Sequence, residues 1–117
     1  MTGLKKNKNE INILACADKD ENKSEFFAKE YNINPLSVEA LLMDKDIDII
    51  VNLTPPSSHF DISLKSLENG KHVFSEKPVS LTIEEGKKLY STMKKIMFIY
   101  FLHQTHILGR HLRRLNK

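Results

Sequence analysis

The stretch IDIIVNLTPPSSHFDISLKSLENGKHVFSEKPVS, residues 47–80, decides the fold. Two short apolar runs, 47–54 and 71–76, are typical of strands that are covered on both faces. Between them lies a helix-like segment that begins at Ser57 or Ser58 and ends before Gly70, a residue type favoured just after a helix C-terminus. A strand, a helix and a strand in this order predict two parallel strands joined by a crossover helix.

The same alternation of apolar runs and helix-like segments continues on both sides of this stretch. The remaining predicted elements are a strand at 11–18, helices at 24–33, 37–44 and 82–95, and a strand at 96–102. Asn22 or Ser24 is placed to cap the first helix and Thr82 to cap the last, because such side chains accept hydrogen bonds from N-terminal amides. Every predicted strand is short and apolar, which favours an α/β fold with a parallel sheet.

The composition and length are those of one globular domain. The chain has 117 residues, of which 40% are hydrophobic and 28% charged, so it can bury a core without disulfides or a metal. The single cysteine, Cys16, cannot form an internal disulfide, so a reducing, cytoplasmic setting is expected. The N-terminal residues lack the apolar core of a signal peptide, and the longest apolar run, 96–102, is far shorter than the roughly 20 residues of a membrane helix.

Basic residues cluster at the two ends of the chain, although the net charge is only +3. Such ends can attract nucleic acid or acidic lipid, but no aromatic residues interleave with the cations to stack on bases. A solvated charged surface is therefore the favoured interpretation, and neither nucleic acid nor a membrane is an expected partner. His103, His106 and His111 match no common zinc spacing and have no Cys or acid among them, so no metal site is predicted.

Polar or rigid residues follow three of the predicted strands. They are Asp18 after the first strand, Thr54, Pro55 and Pro56 after the second, and Glu76, Lys77 and Pro78 after the third. Ligands of open parallel sheets bind beyond the carboxyl ends of the strands, so the three strand ends together predict a ligand site. Each feature alone has another explanation, because a carboxylate can cap a helix, prolines can turn the chain and a lysine can lie on the surface.

The sequence around these strand ends resembles the nucleotide-binding domain of the Gfo/Idh/MocA oxidoreductases. The resemblance covers about residues 11–93 and rests on Thr-Pro-Pro at 54–56, a histidine close behind it, and Gly-Lys-His-Val before Glu-Lys-Pro within 70–78. It implies a Rossmann fold, NAD or NADP as cofactor, and hydride transfer to or from a small-molecule substrate such as a sugar, a cyclitol or a related alcohol.

The resemblance also implies roles for individual residues at the cofactor. Asp18 matches a position that hydrogen-bonds the adenosine ribose hydroxyls, and an acid there favours NAD because it repels a 2′-phosphate. Thr54, Pro55 and Pro56 match the loop that lies along the cofactor. His59, at the start of the next helix, is assigned to the same cofactor site, with packing or capping as the alternative.

Glu76, Lys77 and Pro78 match the family signature beside the nicotinamide and are assigned to cofactor binding. Lys77 is the predicted catalytic residue, because an ammonium near the reacting carbon can hold the substrate hydroxyl and stabilise the developing alkoxide. Pro78 restricts the backbone of the residue before it, and a cis peptide bond between Lys77 and Pro78 is compatible with the sequence.

Two features of the family pattern are missing from the sequence. It contains no G-x-G-x-x-G turn to receive the pyrophosphate at a helix N-terminus, and it no longer matches the family after residue 102. The predicted organisation is a partial NAD(P)-binding Rossmann domain at 1–102, without the first strand and the Gly-rich loop, and a basic tail at 103–117. Without that central strand, the strands at 11–18 and 47–54 must pair directly, keep open edges or borrow a strand, so self-association is expected.

These expectations describe a nucleotide-binding domain of an oxidoreductase family, ancestrally used for hydride transfer. The chain is expected to be inactive alone, because both the phosphate-binding loop and the substrate domain are missing from the sequence. A frameshift that left a gene remnant is one hypothesis for this pattern. The alternatives are a non-enzymatic interaction module and a basic nucleic-acid-binding protein.

Overall fold

The computed structural model describes residues 11–96 and 100–102. The described elements, in chain order, are β1 (Ala15–Cys16), α1 (Glu21–Tyr31), β2 (Asn34–Pro35), α2 (Val38–Met43), β3 (Ile49–Asn52), α3 (Pro56–Glu68), β4 (His72–Ser75), α4 (Ile83–Ile96) and β5 (Tyr100–Leu102). The chain divides into two compact units, Met1–Asp44 and Lys45–Lys117. Helices alternate with parallel strands in this order, which confirms the predicted α/β class.

The first unit contains a two-stranded parallel sheet, in which β1 pairs with β2. The Asn34 and Leu36 amides donate to the Leu14 and Cys16 carbonyl oxygens at 3.2 and 2.9 Å. Pro35 lies between these two donors, so its missing N–H removes no bond from the ladder. The sequence analysis did not predict β2, because asparagine and proline both disfavour strands. The strand predicted at 11–18 is correspondingly shorter, since its regular pairing extends only as far as β2.

The first helix begins earlier than the sequence analysis predicts. Its N-cap is Asp20, whose carboxylate accepts the Asn22 N–H at 3.1 Å, and the helix starts at Glu21. The predicted caps Asn22 and Ser24 are wrong, because aspartate is an equally good cap and comes first in the chain. Ser24 is buried, and its hydroxyl donates to the Glu21 carbonyl oxygen at 2.9 Å. The helix ends at Asn32, which adopts a left-handed conformation with φ 54°.

The single cysteine lies in β1 and is half-buried. Its thiol donates to the Ser24 carbonyl oxygen at 3.4 Å. Burial raises the pKa of the Cys16 thiol above its usual value, which disfavours the reactive thiolate. A half-buried thiol with a raised pKa is expected to react slowly.

The second unit contains a three-stranded parallel sheet in the order β3-β4-β5. Helix α3 packs against β3, β4 and α4. The hydrophobic core lies between this sheet and the helices, and its buried residues are Leu67, Val73 and Leu89. Partly buried side chains packed around the core are Phe60, Leu64, Val79 and Met93.

The C-terminus of α3 and the N-cap of α4 agree with the sequence prediction, but the predicted start of α3 at Ser57 or Ser58 is wrong, because the helix begins at Pro56, a residue type that suits the first helical position. Gly70 follows α3 with φ 76°, and the Gly70 and Lys71 amides donate to carbonyl oxygens in the last turn of the helix, each at 3.0 Å. At the start of α4 the Thr82 hydroxyl oxygen accepts the Glu85 N–H at 3.2 Å. The prediction of Thr82 as the cap of this helix is therefore confirmed.

A buried lysine joins the amino ends of β3 and β4. Lys71 is only 4% exposed, and its ammonium donates to the Ile47 carbonyl oxygen at 2.7 Å. Lys71 comes just before β4 and Ile47 just before β3. The long side chain therefore connects the two points where these strands begin.

The prediction that the strand at 47–54 is covered on both faces is wrong for the described residues, because one face of β3 is covered and the other is exposed. Ile50 and Asn52 are buried, whereas Ile49, Val51 and Leu53 are 54%, 48% and 57% exposed. This alternation follows from the two-residue period of a strand whose one face packs on a helix. The exposed side chains form a short apolar row, called here the β3 outer row.

Within each unit the strand order agrees with part of a Rossmann sheet. In the order 3-2-1-4-5-6, β2 and β1 of the first unit correspond to strands 3 and 2, and β3, β4 and β5 of the second unit to strands 4, 5 and 6. Among the described residues no strand corresponds to strand 1, and β3 pairs with β4 alone.

Candidate functional site

The loops that follow β3 and β4 leave the sheet side by side. Asn52 and Ser75, the last residues of these strands, are opposite each other in the ladder. The Glu76 N–H donates to the Asn52 carbonyl oxygen at 3.2 Å. Because the strands are parallel, the 54–56 loop and the 76–78 loop both lie at the carboxyl edge of the sheet, where open α/β sheets bind ligands.

The 54–56 loop turns the chain directly from β3 into α3. Thr54 is half-buried, and its hydroxyl donates to Asn52 Oδ1 at 2.7 Å. Pro55 occupies the N-cap position of α3 and Pro56 is the first residue of the helix, where a missing N–H is harmless. Both prolines are exposed. They fix the direction of the turn and leave the start of α3 at the sheet edge.

The 76–78 loop presents an amine at the same edge. Lys77 and Pro78 are exposed, Glu76 is half-buried, and the Lys77–Pro78 peptide bond is cis. The Ser75 hydroxyl donates to the Glu76 carbonyl oxygen at 3.0 Å. The Lys77 ammonium is therefore accessible where a ligand of the sheet edge would lie.

His59 lies beneath both loops and is 1% exposed. Its Nδ1 is 2.6 Å from the Pro78 carbonyl oxygen, and its Nε2 is 2.5 Å from the Thr54 carbonyl oxygen. Both ring nitrogens thus lie against backbone carbonyls of the two loops, and each ring N–H can donate to the carbonyl that it faces. This geometry disfavours direct contact between the ring and a cofactor, because both nitrogens already face the protein backbone.

Asn52 is a part of the site that the sequence analysis missed. Its Nδ2 donates to the His59 carbonyl oxygen at 3.1 Å and to the Ser63 hydroxyl oxygen at 3.0 Å. Its Oδ1 accepts the Thr54 N–H at 3.3 Å and the Thr54 hydroxyl. The available signal was an amide two residues after Ile50, on the core-facing side of an apolar strand, where a polar group requires partners.

Asp18 belongs to the first unit, just after β1. Its side chain is exposed, and its Oδ1 accepts the Asp20 N–H at 2.9 Å. A carboxylate has about four lone-pair sites, so this local bond leaves capacity for ribose hydroxyls. The structure thus brings together the predicted residues of the second unit at one edge and places Asp18 after a strand of the other unit.

Some sequence expectations concern residues outside the described ones. The basic N-terminal segment and the 103–117 tail, with its three histidines, lie there. Within residues 11–96 and 100–102, no three His, Cys, Asp or Glu side chains form a group that could hold a metal ion. Over the same residues, no helix combines the length and the apolar character that crossing a bilayer requires.

Comparison with known proteins agrees with the fold and with the strand-end pattern. The profile of an oxidoreductase family with an NAD-binding Rossmann fold, Gfo/Idh/MocA, matches residues 1–103. Scyllo-inositol 2-dehydrogenase (NAD(+)) of Bacillus subtilis is 34% identical over 85 residues, which are 71% of this chain and 25% of that protein. The chain thus spans about a quarter of the length of this relative.

Two solved structures are similar over most of the chain. An NAD-binding protein from Listeria innocua has a TM-score of 0.80 and 27% identity, covering 93% of this chain and 32% of that one. Biliverdin reductase from Synechocystis, in complex with biliverdin and NADP+, has a TM-score of 0.77 and 26% identity, covering 90% of this chain and 34% of that one. The predicted Rossmann-like fold and nicotinamide-nucleotide class are therefore confirmed at the level of the family.

Proposed function

This chain belongs to the Gfo/Idh/MocA oxidoreductase family, and on that premise we propose that it supplies the NAD(P)-binding part of an enzyme that transfers a hydride to or from a sugar, a cyclitol or a related alcohol. The observation that carries the proposal is the exposed Lys77 amine beside the 54–56 loop at the carboxyl edge of the sheet. That edge is where a doubly wound sheet binds its ligands.

Lys77 is proposed as the catalytic residue. An exposed ammonium at the sheet edge can donate hydrogen bonds to a substrate hydroxyl and favour the negative charge that develops on its oxygen. The bound nicotinamide would supply the acceptor or donor of the hydride. Pro78, immediately after Lys77, limits the conformations of the lysine backbone and so restricts where the amine can reach.

Asp18, the 54–56 loop, Glu76 and Pro78 are proposed as the cofactor-binding residues. The carboxylate of Asp18 suits the 2′ and 3′ hydroxyls of an adenosine ribose and repels a 2′-phosphate, so NAD is favoured over NADP. The sequence contains no G-x-G-x-x-G motif for the pyrophosphate of the cofactor. We therefore expect weak binding by these 117 residues and no detectable turnover by them alone.

Titration of the ¹⁵N-labelled chain with NAD+ is the direct test. We expect amide signals to shift near Asp18 and near Thr54 and Lys77, with a dissociation constant of about 1 mM, because the pyrophosphate contacts are weak. The proposal would be contradicted if NAD+ at several millimolar shifted no amide signal in these regions. Signals of residues remote from the sheet edge serve as the internal reference.

The preference between the two cofactors is tested by Asp18→Asn. This change keeps an acceptor for the Asp20 N–H and removes the charge, so the ratio of NAD+ to NADP+ affinity should fall by about threefold, as expected for an exposed charge. Asp61→Asn is the matched control, because Asp61 is an exposed acid in α3. A similar change in the ratio of NAD+ to NADP+ affinity in both variants would show that the preference does not depend on Asp18.

Self-association is a second proposed property, favoured by the exposed β3 outer row on a strand that, among the described strands, pairs with β4 alone. Unpaired strand edges pair with other chains unless a charge blocks them. We expect the wild-type chain to form concentration-dependent dimers in light scattering, and Val51→Lys to shift the population towards the monomer. Leu81→Lys is the control, since Leu81 is exposed outside the sheet. A wild-type chain that stays monomeric at all concentrations would contradict this property.

The remaining expectations concern the setting of the protein. We propose a reducing, cytoplasmic compartment, which suits a chain whose single thiol is half-buried and carries a raised pKa. The nucleic-acid alternative depends on the basic ends, which lie outside the described residues. No described feature favours it over nucleotide binding.

A further inference from the structure

The imidazole of His59 connects the two loops of the candidate site. Its nitrogens lie 2.6 Å from the Pro78 carbonyl oxygen and 2.5 Å from the Thr54 carbonyl oxygen. The two nitrogens belong to one planar ring, so the two carbonyl groups are held at a nearly fixed separation. The histidine side chain has only two rotatable bonds, so the ring can hold both loops with little loss of conformational freedom.

The segment of α3 that carries the His59 ring is hydrogen-bonded to the end of β3. His59 lies in the first turn of α3, and its carbonyl oxygen accepts a hydrogen bond from Asn52 Nδ2 at 3.1 Å. Asn52 also bonds Ser63, one turn further along the helix, at 3.0 Å. The imidazole therefore projects towards the loops from a helix whose first turns are hydrogen-bonded to β3 through Asn52.

A buried histidine used only for packing would need no such contacts. An apolar side chain of similar volume fills space without the cost of burying polar nitrogens. Here one nitrogen lies against the carbonyl of Pro78, the residue after Lys77, and the other lies against the carbonyl of Thr54 in the neighbouring loop. Position 59 therefore requires a side chain that can donate hydrogen bonds, in addition to one of suitable volume.

We propose that His59 is a positioning residue: by holding the Thr54 and Pro78 carbonyls together, it fixes the place of Lys77 relative to the 54–56 loop. The proposal rests on the proposed function for the role of Lys77, but the connection between the loops exists without a cofactor. His59 acts on the site through the backbone and makes no contact with the ligand.

The first test measures the connection in the chain without cofactor. In His59→Leu the backbone order parameters of Lys77 and Val79, from ¹⁵N relaxation, should fall from about 0.85 to about 0.6, while that of Val73 in β4 stays near 0.85. His59→Gln, whose amide NH₂ group can still donate to these carbonyl oxygens, should restore part of the order. Unchanged order parameters at Lys77 in both variants would overturn the proposal.

A measurement on the wild-type chain covers the case in which His59→Leu does not fold. A ring N–H that donates to a buried carbonyl exchanges slowly with water and gives a resolved proton signal. We expect such a signal from His59 that persists at least about tenfold longer than the ring N–H signal of free histidine under the same conditions. A His59 ring proton that exchanges as fast as that of free histidine would overturn the proposal.

The cofactor end is tested separately with NADH and AMP as probes. His59→Gln should weaken NADH binding by about threefold and His59→Leu by about tenfold, the size expected from losing one or two hydrogen bonds. Both variants should bind AMP, which lacks the nicotinamide, as the wild type does. Equal losses for NADH and AMP would indicate general damage and overturn the positioning role. If the wild type bound neither probe, the proposed function would fail, while the order parameters would still decide the connection.

Discussion

Replacing Leu67 with alanine should lower the free energy of unfolding of the second unit by about 3 kcal/mol, as for other buried leucines. Leu67 has no exposed surface and lies with Val73 and Leu89 in the hydrophobic core. The change removes buried methyl groups and leaves a cavity between α3 and the sheet that rigid neighbours fill only in part. Urea unfolding followed through the amide signal of Val73 measures this loss within the unit concerned.

Leu81→Ala is the control, because it makes the same truncation at an exposed position. Leu81 is 62% exposed, so the same truncation there should change the free energy by no more than about 0.5 kcal/mol. A loss at Leu67 no larger than at Leu81 would mean that the core is not packed as described. The m-value should stay the same, because a change in it would indicate altered compactness.

Replacing Asn52 with alanine should cost the second unit about 3 kcal/mol, because the change leaves several buried partners without a hydrogen bond. The side chain is 2% exposed. It donates to the His59 carbonyl oxygen and the Ser63 hydroxyl and accepts from both the amide and the hydroxyl of Thr54. The same urea experiment measures the effect, and the amide signals of the 54–56 loop should shift as well.

Asn69→Ala provides the matched comparison. The Asn69 side chain makes one exposed bond, to the Lys65 carbonyl oxygen at 2.8 Å, so its loss should cost at most about 1 kcal/mol. Equal free energies of unfolding for Asn52→Ala and Asn69→Ala would show that the buried hydrogen bonds of Asn52 do not stabilise the loops.

The elements of the second unit could be predicted from the sequence because local signals and tertiary structure agree there. The C-terminal limit of α3 is set by the backbone chemistry of Gly70. Its start was predicted at Ser57 or Ser58, although Pro56 itself begins the helix. Thr82 caps its helix for the same kind of local reason. The strand ends were also predictable, since short apolar runs stop at polar or proline residues.

The parts that the sequence did not reveal depend on contacts between distant segments. β2 exists because the Leu14 and Cys16 carbonyls meet the amides on either side of Pro35, and no propensity of Asn34–Pro35 indicates a strand. The role of Asn52 was hidden for the same reason. Its partners in α3 are seven and eleven residues away, and only the packed fold shows that they meet.

The buried ammonium of Lys71 has a consequence for how the sequence can drift. Its partner is the backbone carbonyl of Ile47, a group that every residue type supplies, so the partner position is free to mutate without breaking the contact. The lysine has no such freedom, because only a long cationic side chain can reach that oxygen while keeping its stem among apolar atoms. Evolution should therefore keep one member of this pair and let the other vary, so that an interaction between two strands leaves the signature of a single invariant residue.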